Sequence, residues 1–546
     1  MEKKGLKFVI VTGGVCSGIG KGTAAASIGK LLQPYFSKIV PIKCDGYLNE
    51  DPGTMNPYEH GEVYVLDDGG EVDMDFGHYE RFLGITCKSD WNITSGKILK
   101  CLHEKERKGE FLGKTVQYYP HVRNEILEQI LNIAKEEQPD LIIIEIGGTV
   151  GDDENAYFID AVNLTNILKY KSNIFGVSQD DILYVHVTLV IDILGQQKTK
   201  PAQNDLRLLR SKGIVPDIII GRSKNQLADK SKEKIANFLG ADHNTIISGK
   251  DIKTTIYEIP VFFEQDNMLE IIAKKFNIQQ KADLSLWKEL VDKINRPNQR
   301  IKIGLCGKYA ELEDSYKSII DSLVHAGAHL SIKPELDFIE TTELEKQNIK
   351  ERLKEMDGII VPGGYGARGS EGKISAIKYA RENKLPFLGL CFGMQLAVIE
   401  YARNVLGLEH ANSLEIDHEL GRDPTCPIIT LLPEQKTVYR KGGTQRLGGY
   451  DIEIKEGTKA YELYQSKLVR ERFRHRYEVN PDYIEALEKA GLVFSGRASN
   501  SNIMQILELS DHPFFMASQF HPEFTSRLEK PNPMFYHFVK ACLDKK

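Results

Sequence analysis

No stretch of this 546-residue chain approaches the roughly 20 consecutive apolar residues that cross a bilayer, so a membrane-spanning helix is not expected. Cysteine is sparse and scattered: Cys16, Cys44, Cys87, Cys101, Cys306, Cys391, Cys426 and Cys542 form no CxxC pair and no ligand-like spacing with histidine. That excludes a disulfide framework and a structural zinc site, and points to a reducing, cytoplasmic setting. Charge of one sign is also lacking. Lys plus Arg number 71 against 77 for Asp plus Glu, a net charge of −6 with no long basic stripe, so nucleic acid is not an expected partner. Low-complexity tracts and internal repeats are missing as well, which argues against extended disorder and solenoid architectures. The start, Met1-Glu2-Lys3-Lys4 before Phe8-Val9-Ile10-Val11, mimics a signal peptide, but its apolar run is short and enters glycines rather than a cleavage site.

What remains is the composition of an ordinary globular protein, 41% hydrophobic and 27% charged, in a chain too long for one core. Short β-branched runs alternate with helix-like stretches in the first half, at Phe8 to Thr12, Ile39 to Lys43, Leu141 to Ile146, Ile182 to Val190 and Ile218 to Gly221. Several are apolar without alternation, as parallel strands covered on both faces should be. The pattern predicts a doubly wound α/β domain over residues 1–275. Residues 276–300 turn polar and read as an interdomain linker. From Ile301 a second α/β domain, 301–546, begins, with strand-like runs at Gly358 to Val361, Phe387 to Leu390 and Pro513 to Phe520.

Two motifs carry chemistry. The first is the glycine-rich loop Gly13-Gly14-Val15-Cys16-Ser17-Gly18-Ile19-Gly20-Lys21-Gly22-Thr23 after the first strand. Glycines there turn the backbone N–H groups of Ser17, Gly18, Gly20, Gly22 and Thr23 toward phosphate, the helix N-terminus adds partial positive charge, and Lys21 reaches the terminal phosphates. The match to a Walker loop is imperfect, because Val15 stands where a glycine is expected and Gly22 separates Lys21 from Thr23. Asp75, and Glu145 at the end of an apolar strand, are candidates for Mg²⁺, since a carboxylate ending a buried strand is costly unless paired or metal-bound. Without context Asp75 reads equally as a solvated loop acid. The run Lys198-Thr199-Lys200-Pro201-Ala202-Gln203 suits a second polyphosphate, although isolated surface lysines are usually only solvated.

The second motif is the strand-turn-helix Pro386-Phe387-Leu388-Gly389-Leu390-Cys391-Phe392-Gly393-Met394-Gln395, with His521-Pro522-Glu523 far downstream. A cysteine on such an elbow gains thiolate character from the helix N-terminus and a nearby imidazole. His521 would be the base and Glu523 its orienter, while Pro362-Gly363-Gly364-Tyr365-Gly366 ends a strand where a glycine N–H can hold an oxyanion. A lone buried cysteine or histidine is more often inert packing; the agreement of three signals points instead to a site resembling that of class I glutamine amidotransferases. A chain with both motifs makes ammonia at one site and consumes ATP at the other to install it.

Beyond these motifs, Val11-Thr12-Gly13-Gly14, Asp51-Pro52-Gly53-Thr54-Met55, His60-Gly61-Glu62-Val63, Gly77-His78-Tyr79-Glu80-Arg81-Phe82, Glu145 to Asp152, Lys198-Thr199-Lys200-Pro201 and Arg474-His475-Arg476-Tyr477-Glu478-Val479-Asn480 are together far more specific. On these segments the chain resembles the CTP synthase family from about Lys7 to about Ala541. The resemblance implies an N-terminal P-loop amidoligase of the dethiobiotin-synthetase type and a C-terminal flavodoxin-like class I glutamine amidotransferase. It also implies a reaction: ATP phosphorylates the oxygen at carbon 4 of UTP, and ammonia from L-glutamine, passed internally, displaces phosphate to give CTP.

By that resemblance Lys21 and Lys43 neutralise the transferring phosphate and Asp75 with Glu145 binds Mg²⁺. Lys198, Lys200, Gln203 and Lys234 clamp the UTP triphosphate, Arg222 lies near the ATP base, and Glu154 helps to recognise a pyrimidine, including CTP as feedback inhibitor. Cys391, His521 and Glu523 form the glutaminase centre, with Gly364, Gln395, Glu415 and Arg476 binding glutamine, and His60 and Leu112 flanking the ammonia passage. GTP as an activator, near the loop Arg368-Gly369-Ser370-Glu371-Gly372, and assembly into homotetramers and filaments are implied as well.

Four places depart from the family pattern: Cys16 in the phosphate loop, Gly46 where proline is expected, Asp153-Glu154-Asn155 for isoleucine, glutamate, serine, and Phe392 for a common leucine. None removes a reacting group. Two other readings stay open on the motifs alone. An ATP-dependent ligase that amidates a carboxylate, such as the cobyric acid synthase group, would not need a second triphosphate clamp. A ParA-like ATPase switch would have no use for Cys391, His521 and Glu523.

Overall fold

The computed structural model describes residues 5–55, 61–279, 283–308, 313–345, 348–432, 435 and 445–546. The chain folds into two compact units, one of Met1–Pro52 with His78–Lys288, the other of Gly53–Gly77 with Glu289–Lys546.

The first unit is built on a seven-stranded sheet in the order Ile246–Lys250, Ile218–Ser223, Ile182–Leu189, Lys7–Gly13, Leu141–Ile146, Ile39–Asp45, Asn92–Thr94. Every pairing in it is parallel. The non-alternating apolar runs have the expected cause: Val9, Ile10, Val11, Ile142 and Val185 are all fully buried, so each face of the sheet is covered. Parallel pairing puts the carboxyl ends of Gly13, Asp45, Ile146, Leu189 and Ser223 along one edge, where an open sheet of this kind binds ligands. The helix Lys21–Leu32 packs closely on the sheet because Gly29 has no side chain: a Cβ there would stand 2.9 Å from Leu83 and 3.1 Å from Ile143. Trp287 closes the unit's core, tilted against Phe82 and edge-on to Tyr257 at ring separations of 5.4 and 5.7 Å. Its indole N–H donates to the Tyr257 carbonyl at 2.8 Å, and the Lys30 ammonium lies 4.8 Å over its ring.

The second unit carries a nine-stranded sheet in the order Ile332–Glu340, Gln299–Gly307, Gly358–Val361, Phe387–Leu390, Phe515–Ser518, Met504–Glu508, Val493–Ala498, Arg446–Ile454, Leu468–His475. The first five strands are parallel and the remainder antiparallel. The antiparallel half was not legible as such in the sequence. The strand expected from Pro513 to Phe520 ends at Ser518, and the residues after it turn away to present Gln519 and His521.

Two segments differ from a division in chain order. Ser285–Asn295, inside the stretch expected as a linker, is an amphipathic helix that buries Trp287, Leu290 and Val291. Gly53–Gly77, expected with the first 275 residues, belongs to the second unit. Its short hairpin, Tyr64–Val65 with Glu71–Val72, is held there by specific contacts. The fully buried Tyr64 donates its hydroxyl to the Phe524 carbonyl at 2.7 Å. Glu62 accepts from the Ser318 amide and hydroxyl at 2.8 and 2.6 Å, Arg470 pairs with Asp67 at 3.0 Å, and Arg474 with Glu71 at 2.8 Å.

Both tryptophans, Trp91 and Trp287, lie in the first unit, so tryptophan fluorescence reports on that unit. Trp287→Ala removes a side chain that is 1% exposed, and should lower the stability of this unit by about 3–5 kcal/mol. The check is urea unfolding followed by Trp91 emission; an unmoved midpoint contradicts the assignment of Trp287 to the core.

Candidate active sites

In the first unit the loop after Gly13 is exposed from Val15 to Gly18, and Gly18 and Gly20 take the left-handed conformation at φ 70 and 92° that lets the backbone curl ahead of the helix Lys21–Leu32. Lys21 is buried, lies back over Gly13 and donates its amine to the Gly148 carbonyl at 2.6 Å. The Lys43 amine, also buried, stands 3.5 Å from both Asp45 and Glu145. Glu145 takes the Tyr79 hydroxyl on its other oxygen. Gly22 and Thr23 follow in the first helical turn, and Ser17 is exposed on the loop. Thus Lys21, Lys43 and Glu145 converge at the carboxyl edge of the sheet, as adjacent strands in register require: Lys43 pairs with Glu145, and Glu145 with Val11.

Lys198 ends a β-hairpin and Lys200 opens the helix Lys200–Ser211; both are exposed. Gln203 lies one turn on, its amide 3.3 Å from the Thr199 hydroxyl. Lys234 is exposed on the helix Asp229–Leu239. Arg222 spans to the Gly249 and Lys250 carbonyls at 3.2 and 3.3 Å and to Asp251 at 3.1 Å, and shares a concavity with Gly20 and Phe262. Glu154 lines a separate cavity of about 250 Å³ with Gly46, Tyr118 and Tyr157, the two tyrosine rings stacked at 5.1 Å. A Cβ at residue 46 would stand 2.5 Å from the Asn155 side-chain oxygen and 2.9 Å from the Glu154 Cβ, so Gly46 leaves room for both. Leu112 is 88% exposed at φ 52°. His60 lies outside the described residues. Asp75 opens the helix Asp75–Leu83 and is counted with the second unit. Among the described residues no three His, Cys, Asp or Glu side chains cluster as a metal site.

In the second unit Cys391 caps the helix Phe392–Asn404 at φ 50°, ψ −99°, a conformation foreign to a non-glycine residue. Its N–H donates to the Ser518 carbonyl at 2.7 Å. Small neighbours make the elbow possible, since a Cβ on Gly393 would meet the Val361 carbonyl oxygen at 2.1 Å. The thiol is 4% exposed, with the Arg474 carbonyl and the Gln519 amide each 3.6 Å from sulfur. His521 holds Glu523 at 2.7 Å through Nδ1 and stacks on Phe524 at 5.1 Å. A Cβ on Gly363 would stand 3.1 Å from His521 and 3.8 Å from the Cys391 Cβ, so glycine loop, thiol and imidazole meet at one point. They line a cavity of about 240 Å³ together with Met55, Glu62, Lys308 and Arg474. Burial alone would lower the imidazole pKa, but the Glu523 carboxylate and the Cys391 sulfur outweigh it and hold His521 raised to about 10.

Around this cavity Gln395 is buried and gives its amide to the Tyr477 carbonyl at 2.9 Å and to Gln519 at 3.2 Å. Glu415 accepts from the Gly366 amide at 3.1 Å, and burial pushes its carboxyl up. Arg476 donates to Gln435 at 2.6 Å. The sequence reading assigned no site role to Met55, Glu62 or Arg474, which it quoted only within family-specific segments, and did not name Lys308 or Gln519 as site residues. Gln519 stood two residues from His521, while Lys308 is brought to the cavity by tertiary contact.

The family model described as CTP synthase N-terminus matches residues 7–278, and that of glutamine amidotransferase class-I matches residues 311–541. A CTP synthase of Borreliella burgdorferi is 50% identical over 99% of this chain and 100% of its own length. One of Archaeoglobus fulgidus is 48% identical over 98% of both. Among solved structures, the glutaminase domain of Trypanosoma brucei CTPS with bound acivicin is 36% identical, covers 45% of this chain and 95% of that one, at a TM-score of 0.42. Matches that run end to end set aside the carboxylate-amidating ligase and the ParA-like switch. Its motifs, both family models and whole-length relatives agree that the chain belongs to the CTP synthase family.

Proposed function

We propose that Cys391, His521 and Glu523 release ammonia from L-glutamine, and that the phosphate loop, Lys21 and Lys43 use ATP to activate UTP for its capture. The observation that supports the first half best is the meeting of thiol, imidazole and glycine loop at Gly363, with Glu523 2.7 Å behind the imidazole. The Cys391 sulfur attacks the carboxamide carbon, and a backbone N–H of the Gly363–Gly364 segment receives the oxyanion. The carbon–nitrogen bond breaks as His521 gives a proton to the leaving ammonia, and water then cleaves the thioester to glutamate. Glu415 and Arg476, of opposite charge, suit the amino and carboxylate ends of the amino acid. An ammonium beside it would offset the desolvation that raises the Glu415 carboxyl.

In the synthetase reaction the uracil oxygen at carbon 4 attacks the γ-phosphorus of ATP and ADP leaves. Ammonia then adds at carbon 4 and expels phosphate. Lys21 exchanges the Gly148 carbonyl for phosphate oxygens, and Lys43, already beside Glu145, neutralises the transferring group. Mg²⁺, when bound, supplies further charge neutralisation at the phosphates, and Asp75 and Glu145 are the carboxylates that would hold it. Lys198, Lys200, Gln203 and Lys234 take the UTP triphosphate, Arg222 faces the ATP base, and Glu154 reads the pyrimidine of UTP or of CTP. GTP acts near Arg368, which is exposed beside Glu340 at 3.9 Å. Homotetramers, filaments and a cytoplasmic location rest on the family resemblance; among the described residues no helix is long and apolar enough to cross a membrane.

Cys391→Ala should abolish CTP formation from glutamine and keep formation from ammonium chloride, since free ammonia bypasses only the thiol step. Chromatography of CTP with either donor checks it, and failure of ammonia to rescue a folded variant contradicts the two-site reading. Lys21→Ala should lower synthesis from both donors by about 100-fold or more, in line with loss of one preorganised group on developing charge; retained turnover with ammonia would remove Lys21 from the reaction. His521 is held near 10 by Glu523, so it keeps its proton for the leaving ammonia through neutral pH and loses it as pH rises through that value. Glu523→Gln removes a raising influence, and the alkaline limb of kcat/KM for glutamine hydrolysis should move to lower pH; a pH–rate profile with an unmoved limb contradicts the pairing.

A further inference from the structure

Lys373, in the first turn of the helix Ser370–Glu382, is fully buried, and its amine has no hydrogen-bond partner among the described residues. Burial and the positive end of its own helix both oppose its charge. Burial, then the nearby Lys308 ammonium, pull its pKa down to about 7, against the raising influence of Cys306, Glu340 and Cys391. Nothing in the mechanism above uses it. A buried amine that satisfies no acceptor marks an acceptor that arrives in another state of the site.

Its surroundings identify that acceptor. The amine lies 5.4 Å from the ring centre of Phe392, the aromatic that stands beside the nucleophile where a leucine is common in the family. It lies 3.7 Å from the place a Cβ of Gly364 would take, whereas a Cβ of Gly363 would point at His521 and Cys391. The peptide between the two glycines is therefore flanked by the thiol and imidazole on one side and by the Lys373 amine on the other. A trans peptide carries its N–H and C=O on opposite sides. When this peptide aims its N–H at an oxyanion on the thiol side, its carbonyl aims at the amine.

We propose that Lys373 is a positioning residue for the glutaminase step, its amine receiving the carbonyl of the Gly363–Gly364 peptide when that peptide turns its N–H toward the oxyanion forming over Cys391. The proposal rests on the reading of Cys391 as the nucleophile. Gly364, at φ 153°, has the backbone freedom such a turn requires. Phe392 holds the amine by a cation–π contact when the carbonyl is turned away.

The test is Lys373→Met, which keeps length and helix propensity but removes the donor, with Lys373→Arg, which keeps a donor, beside it. Three readouts separate the roles: kcat and KM for glutamine hydrolysis, CTP formation from ammonium chloride, and the rate of Cys391 alkylation by iodoacetamide, which forms no oxyanion. For Lys373→Met, kcat should fall about tenfold or more, toward the 100-fold typical of a lost oxyanion donor. KM, alkylation rate and ammonia-dependent synthesis should stay near the wild-type values, and Lys373→Arg should recover part of kcat. An unchanged kcat overturns the proposal. So does alkylation that slows in step with kcat, which would put the amine's effect on the thiolate. Loss of ammonia-dependent synthesis in both variants overturns it too, because the amine would then serve the fold. A wild-type protein that makes CTP from ammonia but does not hydrolyse glutamine would fail one step earlier, at the nucleophile reading itself.

Discussion

The glutaminase half depends on one constrained residue. Cys391 cannot relax from φ 50° without giving up the 2.7 Å bond from its N–H to the Ser518 carbonyl, and the turn cannot widen because Gly393 is pressed on the Val361 carbonyl. The parallel strands Gly358–Val361, Phe387–Leu390 and Phe515–Ser518 supply all three pieces side by side. The same strand ends also launch the loops that carry Gly363, Gly364 and His521. Strain at Cys391 is therefore tolerated because a stiff sheet determines it from both sides.

Charge around that residue is managed unevenly. His521 and Lys373 are both buried and flank the same glycine pair, yet their affinities for protons move in opposite directions. Burial lowers both, but His521 has the Glu523 carboxylate at 2.7 Å to reverse the effect, whereas the raising influence of Cys306, Glu340 and Cys391 on Lys373 falls short of burial and the Lys308 ammonium. One environment thus raises the proton affinity of an imidazole and lowers that of an amine.

In the synthetase half the constraint is register. With Lys43 opposite Glu145, and Glu145 beside Val11 just before the phosphate loop, a cation and a carboxylate are delivered to the mouth of that loop by sheet pairing alone. The Tyr79 hydroxyl and the Lys43 amine compensate the carboxylate in a position that would otherwise be costly.

Much of this was legible in residues 7–23 and 386–395: a non-alternating apolar run announces a covered parallel strand, and glycines followed by lysine or cysteine announce what stands at its end. The pairing of His521 with Glu523 was legible too, because two residues of spacing nearly suffice to bring them together. Other features depend on contacts across hundreds of residues. Glu71 meets Arg474 across 403 positions, and the hairpin that carries it packs with the second unit although its sequence lies among the strands of the first. Likewise Lys373 looks like an ordinary helical lysine in the sequence. Local periodicity and turn chemistry, which act over a few residues, were enough to determine the buried parallel strands that lead into the elbow and the phosphate loop. Which charges became buried, what faced them and which unit claimed Gly53–Gly77 was decided by tertiary packing, because desolvation and ion pairing depend on neighbours that only the folded chain supplies.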